Sequence, residues 1–536
     1  MARDSEGEDS SAEDSDGDDD DYNFDHDDCL SLNDDTQQRL CNYDPKLVSL
    51  RISSNDLMED FGYFVGSNKI LKRLEFETGW NCHWLCDLCS GLGRNNTLEW
   101  FDMSIYADGF EDVPKLLTPF FKYNSVLRGI TIYNGDDRLK MKSLAMALSK
   151  CGSDRLETFD ISWNGSATDG EVEALFKTLR GQKKLSKITM AKNALGVRGC
   201  TAIAKLLENP SSKIQDLSLR SSTIDAEKCI AILCNMYVKN NTLRKLDLSE
   251  IGSLSTSHIN AISTVFARPT SLLEELNLSS NQIADDGIST LANALAANRT
   301  LTNLDLCSNP IITLAGWQHF SNCLKNTNSV LKNLNLEKCN IDDEKAAVIF
   351  SILSANSSLQ SLNMSGNSVT SRGLVAFFHS LLGSKCEIKE LRLSMSNINL
   401  DDITQEEWGV FSRALCDKDS VNSTFLSNHT FGGLCDEYFR LDRGMVKDFE
   451  HLLEMNRFWD KREVPRHKIL KCHFSQNERT GIDTLTSMQE TVLPYALKWI
   501  GRDRRGYDAM FHVVQGLPNL FGISSAESEG AKKRKV

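Results

Sequence analysis

Proline is scarce in this 536-residue sequence, with only 9 residues, and no stretch approaches the roughly 18 consecutive apolar residues that a membrane-spanning helix needs. With 40% apolar and 8% aromatic residues, the remainder describes a soluble, folded chain with ample material for a core. The opening MARDSEGEDS lacks a basic segment followed by an apolar one, so export by a signal peptide is not expected and the chain reads as intracellular, in nucleus and/or cytoplasm. In a reducing compartment the 16 cysteines read as free thiols, and triplets such as Asn298-Arg299-Thr300 carry no glycan. The phosphate-loop pattern G-x-x-x-x-G-K-[ST], the zinc-protease pattern H-E-x-x-H and a G-x-S-x-G in strand-turn-helix context are all missing, so no enzyme, cofactor or metal is expected.

The net charge of −14 is concentrated at one end. Residues 1–38 hold 16 acidic residues against the single Arg3, which leaves the rest of the chain close to neutral. That balance disfavours nucleic acid as a direct ligand. The arm has almost nothing apolar to bury and is expected to be disordered. Ser5, Ser10, Ser11 and Ser15 each have Asp or Glu three residues later, the pattern acidophilic kinases favour. The arm therefore reads either as a solvating tail or as a phosphorylatable segment that engages a basic surface.

What the body has is a period. The pattern L-x-x-L-x-L occurs twelve times, from Leu71 (LKRLEF) to Ile388 (IKELRL), with successive starts 27 to 30 residues apart. A shorter unit, LVSLRI at Leu47, opens the array as a cap over residues 39–70, and STFLSNHTF, residues 423 to 431, closes it as a degenerate unit. The alternation demands a short strand with one face buried. Eight residues after the first leucine stands Asn164, Asn193, Asn281, Asn309 or Asn367, placed to bond the backbone of a turn. A helical stretch such as residues 284 to 298 follows, with Ile288, Leu291, Ala292 and Leu295 on one face. No single unit buries its apolar face alone, so the units must stack into a parallel sheet backed by helices.

This combination resembles the leucine-rich repeat family, in its ribonuclease-inhibitor-like form with 28 to 29 residues per repeat. The resemblance implies an α/β solenoid, a horseshoe with the strands on the concave face, across residues 71–430. Ser222, Ile251, Cys339 and Ser396 stand where the turn asparagine is expected, and Ile251 suggests an altered turn between Leu248 and Leu254. Such scaffolds bind through side chains that project from the sheet. Trp100, Tyr133, Trp163, Lys187, Arg220 and Lys245 fall in those columns and have the composition of a protein interface. The expectation is a monomeric, non-enzymatic scaffold that holds a partner protein on its concave face, with no membrane. The alternative is a GTPase-activating protein for a nuclear-transport-type small GTPase, a family similar in its repeats but with its acidic segment after them rather than before.

Residues 431–522 leave the period. The stretches 446 to 460, 467 to 474, 488 to 501 and 507 to 521 read as helices that cover the last repeat, and Trp499, Arg502, Arg504 and Arg505 form a basic end. In the tail, 523–536, Lys532, Lys533, Arg534 and Lys535 resemble a nuclear-import signal, which implies an import receptor as a partner; a solvated basic end is the other reading. NCHWLCDLCS, residues 81 to 90, gathers Cys82, His83, Cys86 and Cys89. The period places Cys89 at an apolar slot of a repeat helix, so the cluster reads as core rather than zinc, with Cys86 a semi-exposed thiol.

Overall fold

The computed structural model describes residues 30–31, 34–469 and 472, apart from 53–59, 79–84, 106–112, 135–140, 152–154, 163–166, 225, 238–239, 241, 326–328, 384–385, 435–446 and 462. The expected phosphorylation serines, Trp163, Cys82 and His83, the helices from 488 onward and the basic tail lie outside the described residues.

Strands and helices alternate, and fifteen strands form one parallel sheet in chain order. Register is uniform. Lys187-Ile188-Thr189 pairs with Asp216-Leu217-Ser218, which pairs with Lys245-Leu246-Asp247, and so on to Glu390-Leu391-Arg392. The three apolar residues of each motif point to one side and are buried, as Leu273, Leu276 and Leu278 show. The residues between them point to the other side. Helices such as Asp285–Ala297 bury Ile288, Leu291, Ala292 and Leu295 against the back of the sheet, so one core runs the length of the array.

The turn asparagines supply both halves of an amide. Asn309 Nδ2 donates to Leu278 O (3.1 Å) and Leu306 O (2.9 Å), while its Oδ1 accepts from Ile283 N (2.9 Å) in the preceding repeat. Asn367 does the same for Leu336 O and Ile341 N. Ser222 and Cys339 preserve the donor half, through Ser222 Oγ to Met190 O (2.9 Å) and Cys339 Sγ to Leu306 O (3.1 Å). The residue before this slot is left-handed at Lys192, Ser221, Ser280, Ser308 and Lys338. At Ile251 the turn is altered as expected: Glu250 keeps the left-handed conformation of the other units, but the next buried apolar residue, Leu254, comes three residues after the slot rather than two as Ile283 does after Asn281, and Gly252 at φ 107 accommodates the extra residue.

A second asparagine ladder runs along the opposite end of the strands. Asn95, Asn124, Asn298, Asn356 and Asn428 stand three residues before the first apolar residue of a motif, and each Oδ1 accepts from that residue's N–H. Their amide nitrogens reach back to carbonyls of the previous repeat, as Asn298 does to Phe266 O (2.6 Å) and Asn356 to Leu324 O (2.9 Å). Buried amides that satisfy backbone groups this way contribute about 1 kcal/mol each and cost more when half-removed.

Both ends of the array differ from expectation. Residues 30–38 do not all belong to an unstructured arm: Leu30–Ser31 adds a strand before Ser49–Ile52, and Asp34–Cys41 is a helix. At the other end, STFLS is not a strand. Ser420 begins a capping box with Ser423 and so starts the helix Val421–Leu426. The closing strand is Gly433–Leu434, which pairs with Glu390–Leu391, with Phe431 in the leucine slot and Asn428 three residues before it. The helices Lys447–Phe458 and Val464–Ile469 then pack on this last unit, with Phe449 set against Phe378 and Trp408.

Within the helix Leu85–Leu92, Cys89 is buried and its thiol is pushed up to about 12 by loss of water, with Cys86 adding to the effect, whereas Cys86 itself is exposed. No group of three or more potential metal-binding side chains stands together among the described residues. The helix packs closely on Phe61–Ser67, where a Cβ on Gly91 would overlap the Gly62 carbonyl.

Candidate functional site: a polar groove on the strand face

The exposed side of the sheet forms one groove of about 550 Å³ that extends from Tyr133 and Ser162 to Ser361, Asn363 and Arg392. One lining running through so many strands requires the sheet to bend toward that side, which makes it the concave face. Tyr133, Lys187, Arg220 and Lys245 come together on this lining. Trp163 lies outside the described residues.

Trp100 does not line the groove. It sits near the first strands, half-buried, where its six-membered ring covers the backbone of Gly129 on the next strand. Any Cβ at position 129 would occupy the space of that ring. A glycine in a strand interior is weak unless something covers it, and the indole does so. Trp100 is therefore committed to its neighbouring strand, as is Asp102 beside it, which is paired with Arg73 at 2.9 Å.

Parallel register decides what the groove cations meet. Each residue stands beside the residue 28 to 30 positions later in the same column, so Lys187, Asp216, Lys245 and Glu275 form one row of alternating sign. Lys187 Nζ lies 3.7 Å from Asp216, and Lys245 Nζ lies 2.9 Å from Glu275. Arg220 pairs with Glu250 at 3.2 Å. The counter-charges Asp216, Glu250 and Glu275 were not singled out from the sequence, although reading each column one period onward exposes them.

The titration of these groups follows their burial. Loss of water raises the Asp216 carboxyl, and Lys187 and Lys245 on either side act against that rise. Burial also opposes ionisation of Glu250, but the Ser221 hydroxyl and Arg220 outweigh it and hold that carboxyl below its ordinary value. The hydrogen bond to Glu275, with burial opposing it, raises Lys245. Pairs as open as these contribute only about 0.2–1 kcal/mol, so they do little to hold the fold and can exchange partners at small cost.

Beyond Glu275 the lining turns from charge to amide. Asn333 Nδ2 donates to Asn303 Oδ1 and Asn335 Nδ2 to Asp305 Oδ2, both at 3.0 Å, and Asn363 Nδ2 to Glu337 Oε2 at 3.2 Å. The groove thus has a charged half with Tyr133 at its rim and an amide half that ends at Arg392, which Glu390 holds at 2.7 Å. Five basic side chains line it against four acidic ones, so a polyanion would meet carboxylates nearly as often as cations.

The family model described as the PRAME C-terminal domain matches residues 212–418. Among curated proteins, mouse "NACHT, LRR and PYD domains-containing protein 14" is 28% identical over 218 residues, which cover 41% of this chain and 22% of that protein. Mouse ribonuclease inhibitor is 26% identical over 274 residues, covering 51% of this chain and 58% of that protein. The chain therefore spans less than two thirds of the length of these relatives. Among solved structures, the yeast Rad7 and Elc1 complex contains a chain that is 18% identical, with a TM-score of 0.37, covering 63% of this chain and 84% of that one. With the period, the two asparagine ladders and the single parallel sheet, the match to ribonuclease inhibitor leads to one conclusion: the chain is a ribonuclease-inhibitor-like leucine-rich repeat protein.

Proposed function

We propose that the protein is a non-enzymatic scaffold that holds a partner protein in the groove between Tyr133 and Arg392. The observation that carries this reading is the row of alternating charge at Lys187, Asp216, Lys245 and Glu275 inside one concave lining. Weak exposed pairs of this kind recognise a surface of complementary mixed charge, and Tyr133 supplies apolar area beside them. Relatives of this fold whose printed names mark them as inhibitors or as multidomain proteins support a binding role over chemistry. No observation in the groove favours the GTPase-activating alternative.

The full chain carrying both Tyr133→Ala and Lys245→Glu places a carboxylate between Asp216 and Glu275 and removes the rim aromatic. Affinity capture with wild type and variant, followed by titration of each captured protein, is expected to show at least a tenfold loss of affinity, about 1.4 kcal/mol or more. Equal binding by a variant with an unchanged melting temperature would sink the reading. Stimulation of GTP hydrolysis by any of a panel of transport GTPases would replace it with the alternative.

The basic residues Lys532, Lys533, Arg534 and Lys535 are proposed as an import signal that distributes the protein between nucleus and cytoplasm. Deleting 532–535 from a fluorescent fusion is expected to reduce its nuclear fraction severalfold. An unchanged distribution would remove the import receptor from the list of partners.

A further inference from the structure

Where the last repeat meets the C-terminal helices, three reactive groups are gathered from segments more than fifty residues apart. Cys416 follows the helix Gln405–Leu415 and is 1% exposed. Its Sγ lies 3.4 Å from Sγ of Cys472, which is partly exposed beyond the helix Val464–Ile469. Lys468, on that same helix, is 0% exposed, and its Nζ donates to Leu415 O (2.6 Å) and Asn428 O (3.1 Å). Both of these acceptors are neutral carbonyls. Of its titratable neighbours, Cys416 and Cys472 favour its proton only when they are thiolates, and Lys461 opposes it.

A buried amine held only by carbonyls is a costly cation. Loss of water lowers Lys468 to about 7, so at neutral pH it exists in part as a free base beside two thiols. The contact with Cys472, and burial after it, push the Cys416 thiol up, so the inner cysteine stays protonated. Cys472 has the solvent access that the inner cysteine lacks. Cys472 is thus the accessible nucleophile with a second thiol in contact to resolve the product, and the amine whose proton both cysteines influence is bonded to the carbonyl of Leu415, next to Cys416.

We propose that Cys416 and Cys472 form a thiol-oxidation site, with Lys468 as the positioning base, whose substrate is a peroxide. The Cys472 proton passes to the Lys468 amine, and the thiolate attacks a peroxide oxygen. The O–O bond breaks, a sulfenic acid forms on Cys472, and the leaving hydroxide takes a proton to become water. The Cys416 thiol then attacks the sulfenic sulfur; the S–S bond forms, the S–O bond breaks and a second water leaves. Two thiols have lost two electrons and the peroxide has gained them. The product ties the last repeat to the C-terminal helices, and a small-molecule thiol such as glutathione reverses it by exchange.

The test uses the reduced full chain and hydrogen peroxide near stoichiometry. Tryptic mapping is expected to show peptides 414–418 and 472–479 linked, with the mass of two hydrogens lost, before the exposed Cys86 reacts. Cys472→Ser abolishes the link. Cys416→Ser leaves a sulfenic acid on Cys472 that dimedone traps. Lys468→Met slows the reaction at least tenfold and leaves the rate at Cys86 unchanged. Should that variant fail to fold, the wild-type rate of alkylation at Cys472 carries the same test, because thiolate formation with Lys468 as base gives it a step near pH 7, and a rate with no such step would remove Lys468 from the site. Oxidation of Cys86 ahead of the pair, or a 416–472 link that forms only in urea, would overturn the assignment.

Discussion

Replacing Phe378 by alanine is expected to lower the stability of the C-terminal end of the array by about 3–5 kcal/mol, the range for truncating a fully buried phenylalanine. Phe378 is 0% exposed and stands at the centre of an aromatic cluster. Its ring is stacked on Phe411 at 4.1 Å and meets Phe377, Phe431 and Phe449 edge-on or nearly so at 5.2, 5.8 and 5.5 Å. These partners come from different layers: Phe377 from its own helix Ser371–Leu381, Phe411 from the next helix, Phe431 from the closing strand motif, and Phe449 from Lys447–Phe458. Truncation therefore opens a cavity at the joint between the array and its C-terminal helices, and no single neighbour can collapse to fill it. In a solenoid each unit touches only its neighbours, so the loss stays local. Hydrogen exchange should accelerate in Gln405–Leu415 and Lys447–Phe458 while the helix Asp169–Leu179 keeps its protection. A urea titration showing less than about 1 kcal/mol of change, or acceleration spread evenly over the chain, would mean that this cluster does not hold the end together.

The period, the strand face and the turn asparagines were legible because each leaves a local pattern: Leu273, Leu276 and Leu278 alternate within six residues, and Asn281 follows at a fixed offset. The second ladder was equally local, since Asn298 stands three residues before Leu301 just as Asn95 does before Leu98, but an exposed-looking N-x-T before a strand reads as a turn. The closing unit was misplaced because Phe431 stands in a leucine slot, while Ser420 gives the preceding serine-rich segment a helix cap that outweighs its strand-like look. Groove cations were found by column, yet their meaning needed the register between strands. Lys187 and Lys245 flank one carboxylate, Asp216, and Trp100 covers Gly129 rather than standing free. The group formed by Cys416, Lys468 and Cys472 had no sequence signature, because its members meet only through the packing of the C-terminal helices on the last repeat.

That same joint should make the protein acid-sensitive through His429. Its Nε2–H donates to Phe425 O at 3.1 Å, and its Nδ1 is buried without a hydrogen-bond partner. A second proton would place a charge in a largely buried site beside Lys468, and burial first and that lysine second outweigh the backbone of Phe425 and Thr424 and lower His429 to about 3. The unfolded chain binds this proton near pH 6.5, while the folded chain refuses it until about 3. Between those values the unfolded state holds more protons, so stability is complete above 6.5 and falls as the pH drops through the window. The loss attributable to this one ring is about 3 kcal/mol, less than the full shift would give because the residue keeps some exposure. Lys468 has the same sign in a higher window: its depressed proton affinity adds stability as the pH rises from about 7 toward 10.5, until ionisation of Cys416 in the unfolded chain works against it. His429→Gln retains a donor for Phe425 O and removes the titration. The difference between wild-type and variant unfolding free energies, measured by urea titration from pH 7 to 3.5, should therefore move by about 3 kcal/mol in the variant's favour on acidification. Parallel curves would show that His429 accepts its second proton as readily folded as unfolded, and that the joint is not the acid-labile part of the array.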